Sequence, residues 1–290
     1  MANFIPEIWS AALIANLRRD LVARSIATTQ YEGEIRQQGD TVHIQRPVGL
    51  AATPYVPGVP VTYQVPASTT QALLIDQANE SSFTVPDIAQ VQGNVDRVAV
   101  FAAEASAALA ESADAFVLGL AADAALDANE VELDLSDADP TAWDSVYRSM
   151  VMAGEMLDAG SVPRSGRFVV ASPRLYAALQ MDPTFLRATE IGDTVRLNGA
   201  LGEIAGFQIL RSANHPTRVV DGVVSDGSED LVLFGHVNSI AYADQITNME
   251  ALRSPTSFAD LVRMLHVFGS RILTPERLGR FAVKTVAEVD

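Results

Sequence analysis

Apolar positions recur in steps of three and four through Ile88, Val91, Val95, Val98, Ala102, Ala105, Leu109, Ser112 or Ala113, Phe116 and Leu120. That spacing predicts one helix from near Pro86, a residue suited to a first turn, towards Leu126. About forty residues at ~1.5 Å each make ~60 Å of helix, far beyond the usual globular length. Such a helix is a strut, and Ala99, Ala102, Ala105 and Ala108 let a sheet or a second helix approach it closely. The alternative is two helices broken at Gly119.

Helical spacing also marks 7–24, EIWSAALIANLRRDLVAR, through Ile8, Ala12, Ala15 or Leu17, and Leu21, behind the breaker Pro6. A helix over 141–158 places Trp143, Val146, Tyr147, Met150, Gly154 and Leu157 on one face. Thr141 with Asp144 supplies its cap and Gly160 its end. Pro173 opens a short helix with Leu175, Tyr176 and Leu179 as its apolar face.

Elsewhere the period falls to two. Residues 31–47, YEGEIRQQGDTVHIQRP, read as strand, turn and strand: Gly39-Asp40 supplies the turn, and Val42 and Ile44 alternate with His43 and Gln45. TQALLIDQ (70–77) matches across a stretch punctuated by Pro54, Pro57, Pro60 and Pro66, so a long two-stranded hairpin with a proline-rich tip is expected. Two strands alone are marginal in water, so the hairpin must lie on something. The prolines remove backbone donors, which suits an extended arm. Further strands are expected at 167–172 (buried), 206–212, 217–225, 230–244, 261–273 and 280–286. Residues 127–140 read as a solvated acidic linker and 182–230 as glycine-rich and loop-heavy. The mixture is α+β.

Composition narrows the chemistry. The 290 residues contain no cysteine, which excludes disulfides, thiolate metal sites and thiol catalysis. A net charge of −16 argues against general nucleic-acid binding. The first twenty residues lack the pattern of a signal peptide, so a cytosolic product is expected; residues 47–75 are uncharged, but their prolines forbid a membrane-spanning helix. Four histidines, at 43, 215, 236 and 266, are scattered singly with no metal-binding spacing. There is no GxSxG nucleophile elbow, and the one lysine, Lys284, stands far from any phosphate-binding loop. Gly199, Gly202 and Gly206 depart from GxGxxG and read as turn glycines between short strands. No catalytic residue, metal ligand or cofactor emerges.

The order of parts then carries a resemblance, together with four local stretches: YEGEIRQQGDTVHIQRP (31–47), RFVVASPRLYAAL (167–179), GALGEIAGFQILRSANHP (199–216) and LHVFGSRILTPERLGRFAV (265–283). Across nearly the whole chain the sequence resembles the HK97-fold major capsid proteins of tailed bacteriophages, in particular the P22-type coat proteins. The resemblance implies an N-terminal arm (1–30), an E-loop hairpin (31–84), a spine helix and peripheral domain (85–180), an axial domain (181–250) and C-terminal return strands (251–290). It implies a non-enzymatic coat protein that self-assembles into hexamers and pentamers of an icosahedral head around double-stranded DNA. The location implied is the virion capsid, assembled in the host bacterial cytoplasm.

The partners implied are other copies of the chain, a separate scaffolding protein, a portal protein and, in some heads, a decoration protein, with no membrane. Tyr55, Val56, Val59, Val61 and Tyr63 are the expected inter-subunit contacts of the E-loop. There, buried apolar surface stabilises by roughly 25 cal/mol per Å² before ordering costs. Gly33, Gly39 and Gly119 are candidate hinges, and Gly199, Gly202 and Gly206 fall in the axial region. Some members of the family crosslink through an E-loop lysine; this E-loop has none, so its hold should be noncovalent. The alternatives are an encapsulin-like compartment on the same fold, an acidic α/β enzyme, and a tail or portal component.

Overall fold

The computed structural model describes residues 22–30, 41–47, 52, 54, 63, 68–86, 97–137, 143–182, 202–219 and 228–284. In chain order the elements are α1 (Val22–Ile26), β1 (Thr41–Pro47), β2 (Ser68–Leu74), β3 (Gln77–Pro86), α2 (Arg97–Ala124), β4 (Glu130–Asp134), α3 (Val146–Ala159) and β5 (Arg167–Ala171). There follow α4 (Pro173–Met181), β6 (Glu203–Ile204), β7 (Phe207–Arg211), β8 (Thr217–Val219), β9 (Ser228–His236), β10 (Ile240–Arg253), β11 (Ala259–Ile272) and β12 (Leu278–Lys284). They form an antiparallel pair β1-β2, a three-stranded sheet β10-β11-β3, and a seven-stranded sheet β4-β12-β9-β5-β7-β6 with β8 on β9.

The long helix α2 lies across both larger sheets. Ala105, Leu109, Ala110, Ala113, Val117, Leu118, Ala121 and Ala125 are buried in one cluster with Met264 and Phe268 of β11, Tyr242 of β10, and Phe168 and Leu233 of the seven-stranded sheet. Phe116 meets Phe268 edge-on at 5.6 Å. The opposite face of the seven-stranded sheet carries Val169, Val232, Phe234, Phe281 and Val283, covered by Met150, Ala153 and Leu157 of α3 and Leu175 and Leu179 of α4. All five residues of β5 are buried because β5 is covered on both faces, as its unbroken apolar run predicts.

Several expectations change. Pro86 ends β3, paired with Ala259, and does not open the helix. It sits on an edge strand, where a missing donor costs least. The described helix begins at Arg97 and is 28 residues, ~42 Å, long. It continues through Gly119, so the reading of two helices is excluded. Its buried stripe holds Ala105, Leu109 and Ala113 but then shifts to Val117, Leu118, Ala121 and Ala122, leaving Phe116 and Leu120 half-buried, because the second sheet approaches from a different side. Ala108 faces solvent. By length and composition Ala103–Ala124 is apolar enough to cross a membrane; here over half of it is buried inside the fold.

The acidic stretch 127–140 is not all linker. Val131, Leu133 and Leu135 alternate with exposed or half-buried acids, and 130–134 pairs in parallel with β12 as an edge strand. The cap of α3 is Ser145, whose hydroxyl accepts the Arg148 N–H, in place of the Thr141–Asp144 pair. Gly160 does end that helix, although the left-handed residue is the next one, Ser161 (φ 55°). Of the strand expected over 217–225 the described part is β8, and Gln77–Pro86 forms a strand that the sequence reading had divided between a hairpin and a helix. The helix over 7–24 lies outside the described residues apart from its end, where α1 runs on to Ile26.

Candidate subunit interface

The expected hairpin is present and its register is regular, from Thr41↔Leu74 to Pro47↔Ser68. Period-two patterning decides its orientation. Val42, Ile44 and Leu73, with Ile75 just beyond β2, are buried, whereas Thr41, His43, Gln45, Ala72 and Leu74 are exposed. The buried set rests on Ala241, Ala243 and Val267, the face of the three-stranded sheet turned away from α2. That sheet is thus covered by the helix on one side and by the hairpin base on the other. Gln71 Nε2 adds a hydrogen bond to the Leu273 carbonyl at 3.2 Å.

The close approach depends on Gly269. A Cβ there would lie 2.2 Å from the Leu74 carbonyl oxygen and 2.9 Å from Ile75 Cδ1. The hairpin base is therefore seated directly on β11 backbone. Between the two strands, the described residues Ala52, Pro54 and Tyr63 are all exposed, Tyr63 at 89%. A tyrosine so exposed in the segment that joins the two strands presents a large apolar ring to its surroundings. Tyr55, Val56, Val59 and Val61, and the candidate hinges Gly33 and Gly39, lie outside the described residues, as does Gly199.

Gly119 lies within α2, half-buried and with open space where a Cβ would stand. Gly202 is exposed before β6. Gly206 (φ 81°) follows Ala205 (φ 50°) in the two-residue turn between β6 and β7, so the turn-glycine reading holds for it.

Sequence reasoning missed the joint between α2 and the seven-stranded sheet. Arg280 on β12 donates from Nη1 to the Ala122 and Ala125 carbonyls at 2.9 and 3.4 Å, closing the C-terminal end of α2. The same guanidinium pairs with Glu130 at 2.5 Å and with Asp127 at 2.6 Å. Arg218 on β8 completes the network through Glu130 at 2.8 Å and Glu229 at 2.6 Å. Hydrogen bonds from Arg218 and then Arg280 hold the Glu130 carboxyl below its usual range, against the opposing effect of burial. Because α2 has no basic residue in its last turn, Arg280 supplies the positive charge that the helix C-terminus favours. Arg167 serves α3 similarly, donating to the Gly154 carbonyl at 3.4 Å, the Val162 carbonyl at 2.6 Å and Asp158 at 2.6 Å. The one sequence signal for the α2 joint was the alternation EVELDL, which marks Glu130 as a strand residue.

Among the described residues no group of three histidine or acidic side chains could hold a metal ion. His236 accepts the Asn238 N–H through Nδ1 and so serves a turn. What the described surface offers is a seated hairpin base, with Tyr63 exposed between its strands, on a body braced by α2.

No protein-family model and no curated protein matches the chain. Solved structures do. A structure from Mycobacterium phage Che8 matches with a TM-score of 0.67 and 27% identity, covering 90% of each chain. The capsid of cyanophage P-SCSP1u matches with a TM-score of 0.64 and 16% identity, over 89% of this chain and 93% of that one. The capsid of Ralstonia phage GP4 matches at 0.65 and 14%, over 92% and 88%. From its braced helix to its seated hairpin, the chain has the fold of phage capsid proteins.

Proposed function

We propose that the chain is the major capsid protein of a tailed bacteriophage, and that it assembles into hexamers and pentamers of an icosahedral head around double-stranded DNA. The observation that carries this reading is the hairpin, anchored at its base and with Tyr63 exposed between its strands, on a fold shared with phage capsids along most of the chain. Closed shells need one contact pattern repeated many times, and multiplicity supplies the stability that a single modest contact lacks. An arm reaching across a neighbour meets that need, and an uncharged arm loses little on desolvation. The chain works by assembly and not by turnover. Scaffolding, portal and decoration proteins are the partners this reading calls for, and the P22-type grouping rests on the sequence resemblance.

The test is expression of the full-length chain with and without its scaffolding partner, followed by negative-stain electron microscopy. Icosahedral shells are expected. Rings or tubes would favour a tail or portal component, and dispersed subunits under every condition would refute the proposal. Shells that take up protein cargo in place of genomic DNA would favour the encapsulin-like alternative. Val59→Asp or Val61→Asp is expected to leave the subunit folded, by circular dichroism, while abolishing shells; normal particles from either variant would remove the hairpin tip from the mechanism.

A further inference from the structure

The segment 22–30 is tied to the body at three points. Asp114 of α2, 3% exposed, lies beneath the first turn of α1, where its Oδ1 accepts the Ala23 N–H at 2.9 Å and its Oδ2 the Val22 N–H at 3.2 Å. Arg24 on the same turn pairs with Asp244 of β10 at 2.5 Å. Further on, Thr28 donates its N–H to the Ile240 carbonyl at 2.8 Å and accepts the Tyr242 N–H at 3.1 Å, a single bridge onto the edge of β10. Ala23, Ile26 and Ala27 are buried under these ties.

The carboxyl of Asp114 is in an unusual position. Among the described residues the donors that reach it are two backbone N–H groups, and no cation compensates its burial. The charged or titratable groups around the segment, among the described residues, are Arg24 on α1, Asp244 on β10, and His266 on β11, whose Nε2 lies 3.6 Å from Asp244 Oδ2. From β3 comes the neutral Asn79, bonded to Ser112 Oγ, while Glu111, one turn back on α2, is exposed. A buried carboxylate without a counter-charge favours its neutral form.

We propose that residues 22–30 form a proton-controlled latch, closed on α2 and β10 when Asp114 is neutral and loosened when it ionises. Burial raises the Asp114 carboxyl from 3.8 to about 6 despite the two backbone bonds. The closed state therefore binds the proton more tightly than the released state does. Closure strengthens as pH falls through 6 towards 3.8 and is weakest above 6. Asp244 runs the other way: burial pushes its carboxyl up, but His266 and Arg24 outweigh that and hold it below 3.8. Its hold is lost only in stronger acid, below the range in which Asp114 titrates. The latch is a property of the single subunit and stands apart from shell assembly.

Hydrogen–deuterium exchange of the full-length chain, in the assembly state in which it purifies, tests this after correction for intrinsic exchange. Peptides covering 22–30 are expected to be roughly tenfold better protected at pH 5 than at pH 8, with no such change in β5. Asp114→Asn keeps an oxygen acceptor and cannot ionise, so its profile should be flat. Arg24→Ala should lower protection at every pH and keep the slope. A flat wild-type profile, an equal slope in β5, or a slope that survives in Asp114→Asn would overturn the latch; should that variant fail to fold, the wild-type profile alone decides.

Discussion

Gly269 marks the point where one side chain decides whether a whole element can dock. With the Leu74 carbonyl 2.2 Å from where a Cβ would stand, even alanine forces the hairpin base away from β11. Gly269→Ala is expected to cost about 1–3 kcal/mol, the usual scale of overpacking. Its distinguishing mark is faster amide exchange in β1 and β2 while β9 and β12 stay protected. Unchanged exchange in the hairpin would show that the seat tolerates the methyl. Asp114 is the complementary case, a residue whose chemistry and not its size conflicts with burial. In the sequence it stood within ADAFVLGL, an acid on the apolar side of a helix, a signal that periodicity alone passes over.

At the scale of elements, the body depends on how α2 is joined to the two sheets. Its alanines bring it close to both, and Arg280 closes its end against β12. Arg280 is buried, and its loss leaves the Ala122 carbonyl without that donor and Glu130 with Arg218 alone, while Asp127 is exposed; a buried polar group left unsatisfied costs about 1–3 kcal/mol. Arg280→Ala should therefore lower the free energy of unfolding by about that amount in a urea titration; a loss under ~1 kcal/mol would mean that Arg218 alone satisfies Glu130. The pH dependence has a definite sign. Glu130 titrates below its ordinary 4.5 in the folded chain, so its contribution is complete above that value and is lost as pH falls through the lowered one. Glu130→Gln should flatten the acid limb of the stability curve.

For the whole molecule, the proposed assembly rests on noncovalent contacts. The chain has one lysine, Lys284, exposed at the end of β12 beside Asp134 and Glu229, far in sequence from the hairpin tip. Particles boiled in detergent are expected to run as a single band near 31.0 kDa; a ladder of linked subunits would contradict this. The charge of −16 spread over many copies makes a strongly acidic particle, so assembly should be favoured by added salt, which screens like charges at distances beyond ~10 Å at 0.1 M.

Much of this architecture is local and was therefore legible in the sequence. Helix faces such as Val146, Met150 and Leu157, the proline start of α4, and the alternation Val42–Ile44 are local patterns, and the packing honours them. The order of the elements, together with four local stretches, suggested the capsid fold. Only the tertiary structure decided where those patterns stop. Pro86 suits a first helical turn as well as an edge strand, and pairing with β11 settles it. EVELD looks like a solvated linker until β12 offers an open edge. Gly269, Arg280 and Asp114 owe their meaning to residues between 91 and 195 positions away, across contacts that no short window contains. Periodicity reports which face of an element is apolar, but what meets that face is fixed by long-range packing.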